Sequence, residues 1–112
     1  MSEITDEYMK NMLKTVRPYI VVLLRATPRR NESGADQIVW EHGRRNFALR
    51  KDGRLSIVGP CNDKTDISGI MIFRTNAEET RKIMNEDPAV KAGIFSYDLH
   101  SILSFPGDSL AR

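Results

Sequence analysis

His42 and Asp87 are the two residues whose types and settings suit proton transfer. A histidine takes up and returns a proton near neutrality, its unperturbed pKa being about 6.5. A carboxylate beside it fixes the ring tautomer and favours the imidazolium that forms on proton abstraction. His42 shares a helical stripe with Ile38, Val39, Asn46 and Leu49, so a helix here turns it inward, away from Arg44, Arg45 and Lys51. Asp87 stands before Pro88, whose ring forces the preceding residue out of helical geometry. Such a pair is either an acid–base couple or a core histidine bonded to Asp87 or a backbone carbonyl, and the residues leave both open.

The elements that must bring them together follow from periodicity. Residues 5–16 carry an amphipathic stripe, Tyr8, Met9, Met12, Leu13 and Val16, capped by Thr5 or Asp6 and stopped by Pro18. This predicts a short helix laid against the domain. Residues 19–24 are continuously apolar and β-branched, a strand buried on both faces. Ser33 with Asp36 predicts a capping box opening a helix that runs to Lys51, where Asp52-Gly53 ends it. Residues 54–58 alternate Leu55 and Ile57 against Ser56 and Val58, and a hairpin over 61–66 leads to an apolar strand over 67–73. Thr75 or Asn76 caps the next helix, with Ala77, Thr80, Ile83 and Met84 on its buried face, and Pro88 closes it. Residues 94–103 form the last strand.

The order βαββαβ is that of a ferredoxin-like α+β sheet with spatial order 4-1-3-2. The continuously apolar first and third strands belong at the centre, the alternating second and fourth at the edges. Residues 1–17 then form an amino-terminal helical extension, 18–105 the ferredoxin-like domain and 106–112 a tail. Two helices cover one sheet face, so the apolar residues on the other call for a second layer, most simply a homodimer packed through the sheet.

Composition narrows the class. A lone Cys61 forms no internal disulfide, no apolar run approaches membrane-spanning length, and the acidic start lacks signal-peptide order. A cytoplasmic protein without membrane partners is expected. Eight of the 17 basic residues lie in residues 25–54, against four acids. With no interleaved aromatics this reads as a solvated loop and helix face, not a nucleic-acid surface.

In this topology Arg25, His42, Gly59-Pro60 and Asp87-Pro88 converge on one edge. Arg25 is placed to hold an anionic substrate group, or else to end its strand in a salt bridge. Cys61 adjoins that edge as a candidate nucleophile or a packed thiol. His100 lies far down the last strand, and two histidines so placed make no metal site. Trp40 and Tyr97 suit the core or an interface better than ligand stacking, and no phosphate-cradling glycine pattern occurs.

From about Tyr19 to Ile102 the chain resembles the YCII-related domain family. The resemblance is carried by Tyr19, His42, Gly53-Arg54-Leu55, Gly59-Pro60 and Asp87-Pro88-Ala89-Val90-Lys91-Ala92-Gly93-Ile94. It implies a dimeric α+β barrel with a site centred on His42 and Asp87, with Gly59 and Pro60 beside it. One branch of that family is similar to enzymes that eliminate chloride from chlorinated hydroxyquinols without metal or organic cofactor. Two positions depart from the pattern: Val39 stands where an arginine is frequent, and Arg25 where some relatives carry an acid. The expected function is cofactor-independent acid–base elimination or isomerisation of a small anionic molecule. The alternative is a non-catalytic dimeric module that binds a small ligand or a protein.

Overall fold

The structure is a computed structural model that describes residues 3–112. Its elements are α1 (Asp6–Leu13), β1 (Arg17–Ala26), a 3-10 turn (Pro28–Asn31), α2 (Ala35–Lys51), β2 (Leu55–Pro60), β3 (Ile67–Phe73), α3 (Ala77–Asn85), α4 (Pro88–Lys91) and β4 (Phe95–Ser104). The four strands form one antiparallel sheet in the order β2-β3-β1-β4, the expected ferredoxin-like arrangement.

One sheet face carries the core. Ile20, Val22 and Leu24 of β1, Met71 and Phe73 of β3 and Leu55 of β2 meet Ala35 and Leu49 of α2, Ile83 and Met84 of α3 and Ala89 of α4. Burying each large side chain of this set stabilises the fold by about 1.5–3 kcal/mol. β1 is not buried on both faces as its composition suggested. Its inward residues alternate with half-buried Tyr19, Val21 and Leu23, because among the described residues no helix covers the second face. Ile57, Ile72 and Ile102 share that second face, and Ile70 there is exposed.

The local signals succeed and fail for identifiable reasons. Thr5 caps α1 through Tyr8 N–H, and Asn76 caps α3 through Glu79 N–H. Gly53, with φ +85°, follows the end of α2, a conformation that glycine adopts without strain. Ser33 does not cap α2. The chain enters through Gly34 in the left-handed region, with no side-chain cap, and Asp36 is bound by Arg30 instead. In β2 a bulge between Leu55 and Ile57 resets the alternation, so Leu55 and Val58 share the core face and Ile57 turns outward. α1 does not lie against the domain: none of its residues is buried, and Tyr8, Met9 and Leu13 are exposed. The radius of gyration, 16.6 Å, exceeds the roughly 13 Å of a compact domain of this length. Among the described residues no helix is long and apolar enough to cross a membrane.

Pro88 does more than end α3. Asp87 is extended, with φ −66° and ψ 133°, and serves as N-cap of α4, in which Pro88 takes the first position. Proline suits that position because the N–H it lacks would have no helical partner there.

Candidate active site

α4 packs beside α2, and this brings Asp87 under His42. The carboxylate is shared between two tasks. Its Oδ1 accepts from Ala89 N–H at 2.8 Å and Val90 N–H at 3.3 Å, closing the first turn of α4. Its Oδ2 lies 2.7 Å from His42 Nδ1 and 3.7 Å from Arg45 Nη1. Asp87 is fully buried and His42 is 8% exposed. Burial pushes the Asp87 carboxyl up, but the His42 hydrogen bond and charge and the two backbone N–H groups outweigh it, holding the carboxyl below its ordinary range. It is therefore ionised and accepts only, so His42 Nδ1 carries the proton and donates it.

The other ring nitrogen, Nε2, then presents its lone pair, and Asn46 Nδ2–H donates to it at 3.2 Å. Phe95 packs on the ring at 5.1 Å between centroids, tilted by 58°. The imidazole is thus held at both nitrogens and along one side.

His42 and Asn46 line a cleft of about 750 Å³ between α2 and the β2–β3 edge of the sheet. Its walls are mainly apolar, with Val39 and Phe47 from α2 facing Val58 and Met71. Gly43 opens the α2 side, since a Cβ there would meet nothing within 4 Å. Arg50, one turn past Asn46, brings a cation to the cleft and forms no ion pair among the described residues. Asp108, Ser109 and Leu110 of the tail reach the same cleft.

The candidates named from sequence separate as follows. His42, Gly59 and Pro60 line the cleft, and Asp87 stands behind the ring with no exposed surface. Arg25 is not brought to the cleft. It pairs with Ser96 across β1 and β4, which turns it to the helix-free face, where Nε bonds Asp98 at 2.7 Å and Nη1 bonds Asp66 at 2.8 Å. The salt-bridge alternative describes it. Cys61 is half-buried and does not line the cleft, His100 is exposed, and Trp40 is 66% exposed and so not a core residue. The Tyr97 hydroxyl donates to Asn85 Oδ1. Arg29 and Arg30 are used internally, on Ala92 O and Asp36, as are Arg44 on Glu41 and Arg54 on Asp52. Asn46 and Arg50 join the site without any motif that marks them. Their signal was spacing: a polar side chain four residues after an inward histidine shares its face, and the next turn follows.

Fold and site together define a ferredoxin-like α+β protein with a buried His–Asp pair beside an open cleft. No protein-family profile and no curated protein matches the chain. Among solved structures it is similar to 5-chloro-2-hydroxyhydroquinone dehydrochlorinase from Burkholderia phenoliruptrix, determined in complex with 2,5-dihydroxybenzoquinone. The TM-score is 0.50 at 18% identity, covering 75% of this chain and 91% of that one. At that identity the likeness establishes the shared fold.

Proposed function

We propose that this protein belongs to the YCII-related family and is a cofactor-independent acid–base enzyme that eliminates from, or isomerises, a small anionic organic molecule. The observation that carries this reading is the 2.7 Å His42–Asp87 contact at the wall of the cleft. His42 Nε2 takes a proton from the substrate, and the ionised Asp87 carboxylate stabilises the imidazolium as it forms. In an isomerisation the ring returns the proton to a second atom. In an elimination the C–H electron pair becomes the new double bond, and the leaving group departs with its own pair. Positioned proton transfer of this kind contributes about 10²–10⁴ in rate. The apolar walls suit a compact carbon skeleton, and Arg50 replaces Arg25 as the cation for an anionic substituent. The similar solved structure carries an elimination activity in its name, which supports the same reaction class on this fold. The helix-free sheet face, with Tyr19, Val21, Leu23, Ile70 and Ile72, suits coverage by a second copy, giving a homodimer.

A specific observation favours the alternative of a non-catalytic binding module: both nitrogens of His42 already have partners in the resting protein. One set of measurements separates the two readings. Wild type and His42→Ala are given 5-chloro-2-hydroxyhydroquinone with chloride release followed. They are also given a panel of small enolisable and phenolic acids in D₂O, with C–H exchange followed by NMR. His42-dependent release or exchange supports the enzyme. Saturable binding that is equal in both proteins, with no exchange in either, refutes it and leaves the module. Light scattering tests the dimer separately, and a monomer at high concentration refutes the sheet-face assembly.

A further inference from the structure

Asn46 is 7% exposed, and its Oδ1 is buried with no hydrogen-bond partner among the described residues while Nδ2–H donates to His42 Nε2. An orphaned buried acceptor is costly, and this one lies on the amide that already touches Nε2, where a half-turn would bring it to that nitrogen. We propose that Asn46 is a two-position amide that follows the proton on His42: Nδ2–H faces Nε2 when the ring is neutral, and Oδ1 faces Nε2–H when the ring is the imidazolium. The proposal deepens the acid–base reading above and rests on Nε2 being the atom that takes up the proton.

With Asp87 ionised, Nδ1 keeps its proton in both states, so protonation changes Nε2 alone, from acceptor to donor. An Nδ2–H group facing Nε2–H would set two donors against each other. A half-turn of the amide replaces that clash with a charge-assisted hydrogen bond, roughly twice as strong as a neutral one. Either orientation leaves one amide atom without a partner, so hydrogen-bond count favours neither, and the ring's charge selects. The charged groups around the pair are few. Asp87 and Arg45 lie on the Nδ1 side, and Arg50 and Asp108 border the cleft. The β2 and β3 walls contribute no titratable side chain, and β4 contributes Phe95. Among the described residues no other group accepts from Nε2–H, so Asn46 is a positioning residue: it spares the buried imidazolium an unpaired donor midway through a proton transfer.

The test is NMR on the full chain with ¹⁵N-labelled histidine and asparagine. Wild type, Asn46→Leu and Asn46→Asp are compared as pH is raised through neutrality. In wild type the Asn46 side-chain amide signals move in step with the His42 Nε2 signal. Asn46→Asp keeps Nε2 protonated to higher pH, and Asn46→Leu loses that proton at lower pH, each by about a tenfold change in proton affinity, or one pH unit. Asn46 signals that stay still while His42 titrates overturn the proposal, as does an identical Nε2 response in all three proteins. The wild-type amide signals alone decide the matter if a variant fails to fold. If the amide follows the ring but the protein neither exchanges nor eliminates, the enzyme reading falls and this proposal stands.

Discussion

Replacing Asp87 probes the site more sharply than replacing His42, because its two oxygens serve different ends. Asp87→Ala removes the N-cap of α4, worth about 1 kcal/mol, leaves His42 Nδ1–H buried without its acceptor, and takes the carboxylate charge from beside Arg45. Breaking a buried pair by deleting one partner costs about 3–5 kcal/mol. Together the two losses come to about 4–6 kcal/mol. Asp87→Asn separates the terms. Asparagine has one oxygen, and asparagine is as good an N-cap as aspartate, so the cap survives. Its NH₂ then faces Nδ1, which must become the acceptor, moving the ring proton to Nε2. The loss reduces to that of the charged hydrogen bond, about 1.5–3 kcal/mol. Urea unfolding measures both costs, and histidine ¹⁵N shifts read the tautomer. A loss below about 1 kcal/mol in the alanine variant, an asparagine cost equal to that of alanine, or an Nδ1 still protonated in the asparagine variant would refute this division of roles between the two oxygens. The pH dependence has a definite sign. The native carboxyl lies below its unfolded value of about 3.9, so the unfolded chain binds the proton more readily. The stability that Asp87 adds is complete above that unfolded value and is lost as pH falls through the lower folded one. The gap between wild type and Asp87→Asn should therefore close on acidification below about pH 4.

Gly43→Leu places a side chain in the cleft from a helical site with open space and improves helix propensity by about 0.5–1 kcal/mol. It should hold or raise the melting temperature while abolishing binding of any ligand found for the wild type, and a marked destabilisation would contradict the open cleft. Gly69→Ala does the reverse. Its Cβ would sit 3.1 Å from the Gly59 carbonyl oxygen across the β2–β3 ladder, so urea unfolding should show a loss of about 1–3 kcal/mol, and a neutral result would refute the close approach. Deleting residues 1–15 removes no buried side chain of α1 and should change the stability of a dilute sample by less than about 0.5 kcal/mol. A larger loss in urea would show that α1 packs on something in solution.

Patterning made much of the fold legible. The inward stripe of α2 and the Thr80, Ile83, Met84 face of α3 follow from local periodicity, and the sheet order follows from which strands are continuously apolar. Side-chain parity in the strands was not legible. Arg25 looked like a cleft residue because it ends β1 at the right edge, yet a strand's faces alternate and its partner Ser96 puts it on the other side. The bulge in β2 is likewise invisible locally, since it depends on what Phe73 and Ile72 present across the ladder.

For the candidate site, the sequence alone determined that a histidine turns inward and that an aspartate is held extended before a proline. Those are properties of short segments, dictated by helical period and by the proline ring. Only tertiary structure decided that the two meet at 2.7 Å, that one carboxylate oxygen caps α4 while the other holds the ring, and that Asn46 sits on the opposite nitrogen with an oxygen to spare. The physical reason is range. Caps and stripes are settled within a turn or two of chain, whereas the hydrogen-bond inventory of a buried imidazole is settled by whichever elements the core packs around it.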